Sequence, residues 1–161
     1  VDNPQAYDKL EQALTFILTI DGVPMIYYGD EIGMTGAGDP DNRRMMQFDA
    51  QLDERRLAVR RHFSLAARAR RATPALTLGS RRCLQADGDR YAYVRRHGDS
   101  LALVAFNASD SAASLRLEVA PEAESAALRD VFSGRSARIR GGRVALELPP
   151  RSSALYLNQG D

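Results

Sequence analysis

The 161-residue chain contains no tryptophan, one lysine (Lys9) and one cysteine (Cys83). A lone cysteine excludes an internal disulfide and any cysteine-based metal cluster, and it leaves the redox compartment open. Charge of one sign is also lacking, since 22 basic residues stand against 21 acidic ones for a formal net charge of +1. So balanced a chain has no global field to attract nucleic acid or an anionic membrane. No apolar run approaches the roughly 20 residues of a membrane-spanning helix. No leader peptide is visible, and localisation is not legible. No cofactor motif is evident, and His62 and His97 have no clustered metal-ligating neighbours.

What is present suffices for a core: 44% of the residues are hydrophobic, and the length fits one domain or one domain plus part of another. The chain starts at Val1 rather than Met, with a helix signal almost at once, and the expectation is a truncated or processed polypeptide. Asn3 followed by Pro4 reads as an N-cap with proline at the first helical position. Tyr7, Leu10, Leu14 and Ile17 or Leu18 then recur at helical spacing, predicting a helix from Pro4 to Ile20. Asp21-Gly22 stops it. Residues 23–28 are apolar at both parities, as a parallel strand buried on both faces would be. A long Gly-, Asp- and Pro-rich loop follows from Gly29 to Asp49, and helical spacing returns from Asp53 to Arg71, with Leu57, Phe63, Leu65, Ala66 and Ala69 as the inner stripe.

After Ala72-Thr73-Pro74 the apolar period changes from helical to two. Turn signals at 87–89, 97–99, 107–111 and 141–142 divide the remainder into seven or eight short strands, the pattern of an antiparallel sandwich with Greek-key connections. Leu101 to Phe106, apolar on both faces, is expected to be central. The division is thus 1–73, an α/β portion, and 74–161, an all-β domain. One strand and two helices cannot close a layer by themselves, so the α/β portion needs partners from elsewhere in its polypeptide.

The segment Gly22-Val-Pro-Met-Ile-Tyr-Tyr-Gly-Asp-Glu-Ile-Gly-Met34 closely resembles the α-amylase family of glycoside hydrolases. Its continuation Gly38-Asp-Pro-Asp-Asn-Arg-Arg-Met-Met46 resembles the neopullulanase, cyclomaltodextrinase and maltogenic-amylase branch. Asp130-Val-Phe-Ser-Gly134 and Leu148-Pro-Pro-Arg-Ser-Ser-Ala-Leu155 extend the likeness to the family's C-terminal domain. The resemblance implies that residues 1–73 end a (β/α)8 barrel, with 23–28 its eighth strand. It also implies that the parent is a retaining glycosidase acting on α-1,4 and possibly α-1,6 bonds of maltodextrin, cyclodextrin, pullulan or starch. Such enzymes use a carboxylate nucleophile and a carboxylic acid, which the family carries on its fourth and fifth strands. Both lie upstream of this chain, so no residue here is assigned as catalytic and the isolated chain is expected to be inert.

Two readings of the loop stay open. Asp39 and Arg43 can hydrogen-bond paired sugar hydroxyls, the role the resemblance implies, with Arg44 a further substrate-binding candidate. Alternatively, an Asp-Pro-Asp-Asn turn is closed by an Asp39–Arg43 salt bridge, with Asp41 and Asn42 shaping it. Tyr28, Asp30 and Glu31 are placed at the rim in structural roles, because adjacent carboxylates in an extended segment point to opposite sides. The expected partners are an α-glucan oligosaccharide and the rest of the barrel. The arginine-rich second helix reads as a solvated outer face rather than a nucleic-acid site, because no aromatics interleave its arginines. The competing class is a non-catalytic glycan-binding or structural sandwich, against which the missing tryptophan counts.

Overall fold

A computed structural model describes residues 4–119 and 127–158; the Asn3 cap lies outside them. Helix α1 spans Pro4–Thr19, α2 Glu54–Ala72 and the single turn α3 Pro74–Thr77. Among the described residues eight strands follow: β1 Ser80–Asp87, β2 Arg90–His97, β3 Ser100–Asn107, β4 Ala113–Glu118, β5 Ala127–Asp130, β6 Ser136–Arg138, β7 Arg143–Leu148 and β8 Ser152–Asn158. All pairings are antiparallel, in a six-stranded sheet ordered β1-β2-β3-β8-β5-β6 and a two-stranded sheet β4-β7. The turn signals at Gly88 and Gly98 fall between β1 and β2 and between β2 and β3. Both glycines have positive φ, 52° and 56°, where a side chain would be strained.

The periodicity of each strand follows from what lies on its two faces. In β4 and β7, Leu115, Leu117, Val144 and Leu146 point inward and alternate with exposed residues. They pack on Leu101, Leu103 and Ala105 of β3 to form the core between the sheets. The other parity of β3, Ala102, Val104 and Phe106, joins Tyr93, Leu155 and Leu76 in a second cluster on the helical side of the large sheet. β3 therefore has apolar residues at every position because both of its faces are covered. Each fully buried Leu or Val contributes about 1.5–3 kcal/mol, so both cores are substantial.

Helix α1 buries Leu14, Thr15, Leu18 and Thr19, a stripe at i, i+4 spacing. The threonine hydroxyls turn back to the carbonyls of Glu11 (3.0 Å) and Thr15 (2.5 Å), so the stripe buries no unsatisfied donor. Arg70 of α2 donates to the carbonyls of Leu18, Ile20 and Gly22 at 3.0, 3.2 and 2.6 Å, satisfying acceptors that a helix end leaves open. Arg95 of β2, 2% exposed, binds the Gly79 carbonyl through Nε and Nη2 and the Thr19 carbonyl through Nη1. These guanidiniums tie the helices to the sheet by capping carbonyls.

The junction is completed by His62 of α2. Its ring stacks on Phe132 with centroids 3.9 Å apart, and Nε2 lies 2.7 Å from Thr15 Oγ1, which in turn lies 2.9 Å from Ser153 Oγ. Burial pushes the His62 pKa down to about 4, outweighing the Glu11 carbonyl and the Asp130 charge that favour its protonated form. Arg151, in a left-handed conformation with φ 45°, bonds Asp8 of α1 at 3.2 Å and Asp110 at 2.5 Å.

Two expectations are not met among the described residues. Residues 23–28 belong to no sheet among the described residues, and Val23 and Met25 are 95% and 85% exposed. A strand apolar on both faces requires hydrogen-bonding neighbours beside it and layers above and below, and none of these is present around this segment. In α2 the buried positions are Val59, Ala66 and Ala69, the face that meets α1. Leu65 lies outside this stripe and is exposed, while Leu57 and Phe63 are half-buried.

Candidate functional site: the loop after residue 28

The stretch 23–26 makes no backbone hydrogen bond among the described residues, and the turn that follows is fixed by its own carboxylates. Asp30 Oδ2 accepts from the Tyr27 amide at 3.0 Å, and Glu31 Oε2 accepts from the Gly29 amide at 2.8 Å. Residues 30–32 form a 3-10 turn rather than extended chain, so the two carboxylates are kept from acting as a pair by these backbone bonds and not by strand alternation. Gly29, with φ 92°, permits the turn, and a Cβ there would sit 2.7 Å from Met34 Sδ. Tyr27 and Tyr28 are exposed and lie against each other, ring centroids 4.6 Å apart.

Further along the loop, Asp41 is the organising residue. It accepts the Ala37 amide (2.8 Å) and a two-pronged bond from Arg44, Nε and Nη2 each at 2.8 Å. Arg44 Nη1 reaches Thr35 Oγ1 at 3.0 Å, and the Tyr28 hydroxyl donates to the Arg44 carbonyl at 3.1 Å. The Arg44 hydrogen bond, helped by the Ala37 amide, holds the Asp41 carboxyl below its ordinary range. The Arg44 guanidinium is thus already engaged inside the loop. Asp39 and Arg43 pair at 3.0 Å, and with side chains 61% and 69% exposed they present a carboxylate and a guanidinium together to solvent. Such a pair offers an acceptor and a planar donor fork within one ligand's reach.

The sequence singled out these loop residues but not the junction of His62, Phe132, Thr15 and Ser153, which the fold assembles from four distant segments. Nor did it give Tyr156 or Arg151 a role of its own; a non-glycine residue at positive φ carries no reliable sequence signature. Among the described residues, no group of three or more His, Cys, Asp or Glu could hold a metal ion. No helix among them is long and apolar enough to cross a membrane.

The β half defines the class. Residues 81–155 match the family model described as Maltogenic Amylase, C-terminal domain. The likeness extends through the helical half. Neopullulanase 2 of Thermoactinomyces vulgaris is 34% identical over 152 residues, covering 93% of this chain and 26% of the relative. A cyclomaltodextrin glucanotransferase of Niallia circulans is 37% identical over 126 residues, covering 78% and 17%. Among solved structures, the α-amylase of Geobacillus thermoleovorans complexed with acarbose superposes with a TM-score of 0.84 at 25% identity, over 99% of this chain and 34% of that one. The chain belongs to the α-amylase family and corresponds to a C-terminal portion of its members. It spans about a fifth of the length of the curated relatives it matches.

Proposed function

We propose that this chain is the C-terminal part of a retaining glycosidase or glucanotransferase acting on α-1,4, and possibly α-1,6, glucosidic bonds of maltodextrin-like glucans. Residues 1–73 would close a (β/α)8 barrel, with 23–28 its last strand, and residues 74–161 would form the C-terminal sandwich in Greek-key order. The observation that carries this reading is the segment 23–26, unpartnered along its backbone among the described residues and apolar on its exposed positions Val23 and Met25, running directly into the loop that displays Asp39 and Arg43. A strand-end loop is where α/β barrels build their active face. The isolated chain is inert in this account because the carboxylate nucleophile and acid lie upstream.

Asp39 and Arg43 are proposed to hydrogen-bond paired hydroxyls of the glucan, while Arg44, occupied by Asp41 and Thr35, keeps the loop in shape. Tyr28, Asp30 and Glu31 form the rim. In the longer polypeptide, Arg43→Ala is expected to raise KM for maltodextrin by about tenfold, the value of one charged hydrogen bond. An unchanged KM and kcat would remove this pair from the substrate site.

A further inference from the structure

The sandwich opens at one corner into a cavity of about 240 Å³ between the end of β7, the start of β8 and the turn after β5. Tyr156, only 5% exposed, is among its lining residues. The rim carries Arg135 and Glu147, both exposed, and apolar walls come from Phe132, Leu148 and Pro149.

The polar groups here divide sharply into engaged and free. Asp130 is fully used: Oδ2 takes the Ser133 amide and hydroxyl at 2.8 and 2.5 Å, and Oδ1 takes the Leu155 amide at 2.9 Å. Tyr156 pairs with Asp130 across the β5–β8 ladder, yet its hydroxyl has no hydrogen-bond partner among the described residues. The Arg135 guanidinium and the Glu147 carboxylate likewise have none. The Tyr156 hydroxyl is not sealed in the core, so a ring whose body is buried keeps a polar tip open to a partner from the cavity. Burial, the first cause, also raises the Tyr156 pKa, so the hydroxyl remains a neutral donor at physiological pH.

From this arrangement we infer that the corner cleft is a second ligand site, built for a single neutral sugar ring. The volume is below that of sites for drug-sized ligands. The apolar walls suit the C–H face of a pyranose, while the hydroxyl of Tyr156, the carboxylate of Glu147 and the guanidinium of Arg135 provide donors and acceptors of mixed kind. A net-charged ligand would meet both signs at the rim and gain little. The site is separate from the Asp39–Arg43 pair. Only the choice of an α-glucan as probe rests on the proposed function.

The test uses the 161-residue chain, isotope-labelled and titrated with maltose while amide resonances are followed. Saturating shifts are expected at Ser133, Arg135, Glu147 and Tyr156, with a Kd of about 1–10 mM, as for a few hydrogen bonds to one ring. Tyr156→Phe keeps the packing and removes only the hydroxyl, and should weaken binding by about fivefold to tenfold. Glu147→Gln, on the rim, serves as a second variant with the same expectation. Arg43→Ala should leave the cleft resonances unmoved. No shift at cleft residues up to about 50 mM maltose, or wild-type binding by both Tyr156→Phe and Glu147→Gln, would overturn the site. Equal binding of cellobiose would uphold the cleft as a pyranose site while counting against the α-glucan reading alone.

Discussion

Acidification should loosen the junction between the helices and the sandwich through His62. In the folded chain its pKa lies at about 4 against an ordinary value of 6.5. The folded state therefore binds the proton more weakly than the unfolded chain, and stability falls as pH drops below the unfolded value, until the folded pKa is reached. Each tenfold difference in proton affinity is worth about 1.4 kcal/mol, which places the full loss near 3 kcal/mol, most of it incurred by about pH 4.5. Glu11, whose pKa is raised mainly by burial, acts in the opposite direction. Its protonation favours the folded state as pH falls through its folded value, so the net loss is smaller than the His62 contribution alone. The assay is urea unfolding at about pH 7 and about pH 4.5, for the wild type and for His62→Gln, which retains a polar group opposite Thr15 and does not titrate. The wild type should lose up to about 3 kcal/mol and the variant clearly less. Equal pH dependence in the two proteins would show that the stacked His62–Phe132 contact is not where the proton acts.

Other perturbations probe separate parts of the fold. Gly79 lies where a Cβ would come within 2.3 Å of the Ala75 carbonyl oxygen and 2.8 Å of the Arg96 carbonyl oxygen, both backbone atoms. Gly79→Ala should therefore destabilise by about 1–3 kcal/mol or more, read as a lower urea midpoint; a wild-type midpoint would mean that the link between α3 and β1 adjusts freely. Arg44→Lys keeps the charge but not the two-pronged bond to Asp41. Faster hydrogen exchange at the Ala37 amide, with exchange in the sandwich unchanged, is the expected result, and unaltered exchange at Ala37 would show that Asp41 holds the loop without Arg44.

Much of the architecture was legible because its causes are local. Turn residues at 87–89 and 97–99 set hairpins wherever they occur, and the alternation in β4 and β7 reports one covered face. The two-sided run in β3 pointed to a central strand for the right reason, as Leu103 and Val104 feed different cores. The same inference applied to residues 23–28 met a different outcome, because a ladder is a property of neighbours and among the described residues none stands beside Val23 and Met25. In the loop, the Asp39–Arg43 pair was anticipated as the turn-closing alternative. The two-pronged Asp41–Arg44 bond was not, since nothing in Asp-Asn-Arg-Arg says which arginine folds inward. The junction around His62 joins segments 47 and 138 residues apart, and the corner cleft sets the turn after β5 against the ends of β7 and β8, both brought together by the sheet order. A single sequence carries no periodic trace of such contacts.

The central proposal is that this chain is the C-terminal part of a longer enzyme and itself holds none of the bond-cleaving carboxylates. The most direct measurement compares conversion of maltodextrin by the longer polypeptide that contains this sequence with conversion by the 161-residue chain alone. The account predicts hydrolysis or glucosyl transfer with retained anomeric configuration by the longer protein, and none by the chain alone. A longer protein that folds yet leaves maltodextrin, cyclodextrin, pullulan and starch untouched, or a 161-residue chain that cleaves any of them, would contradict it.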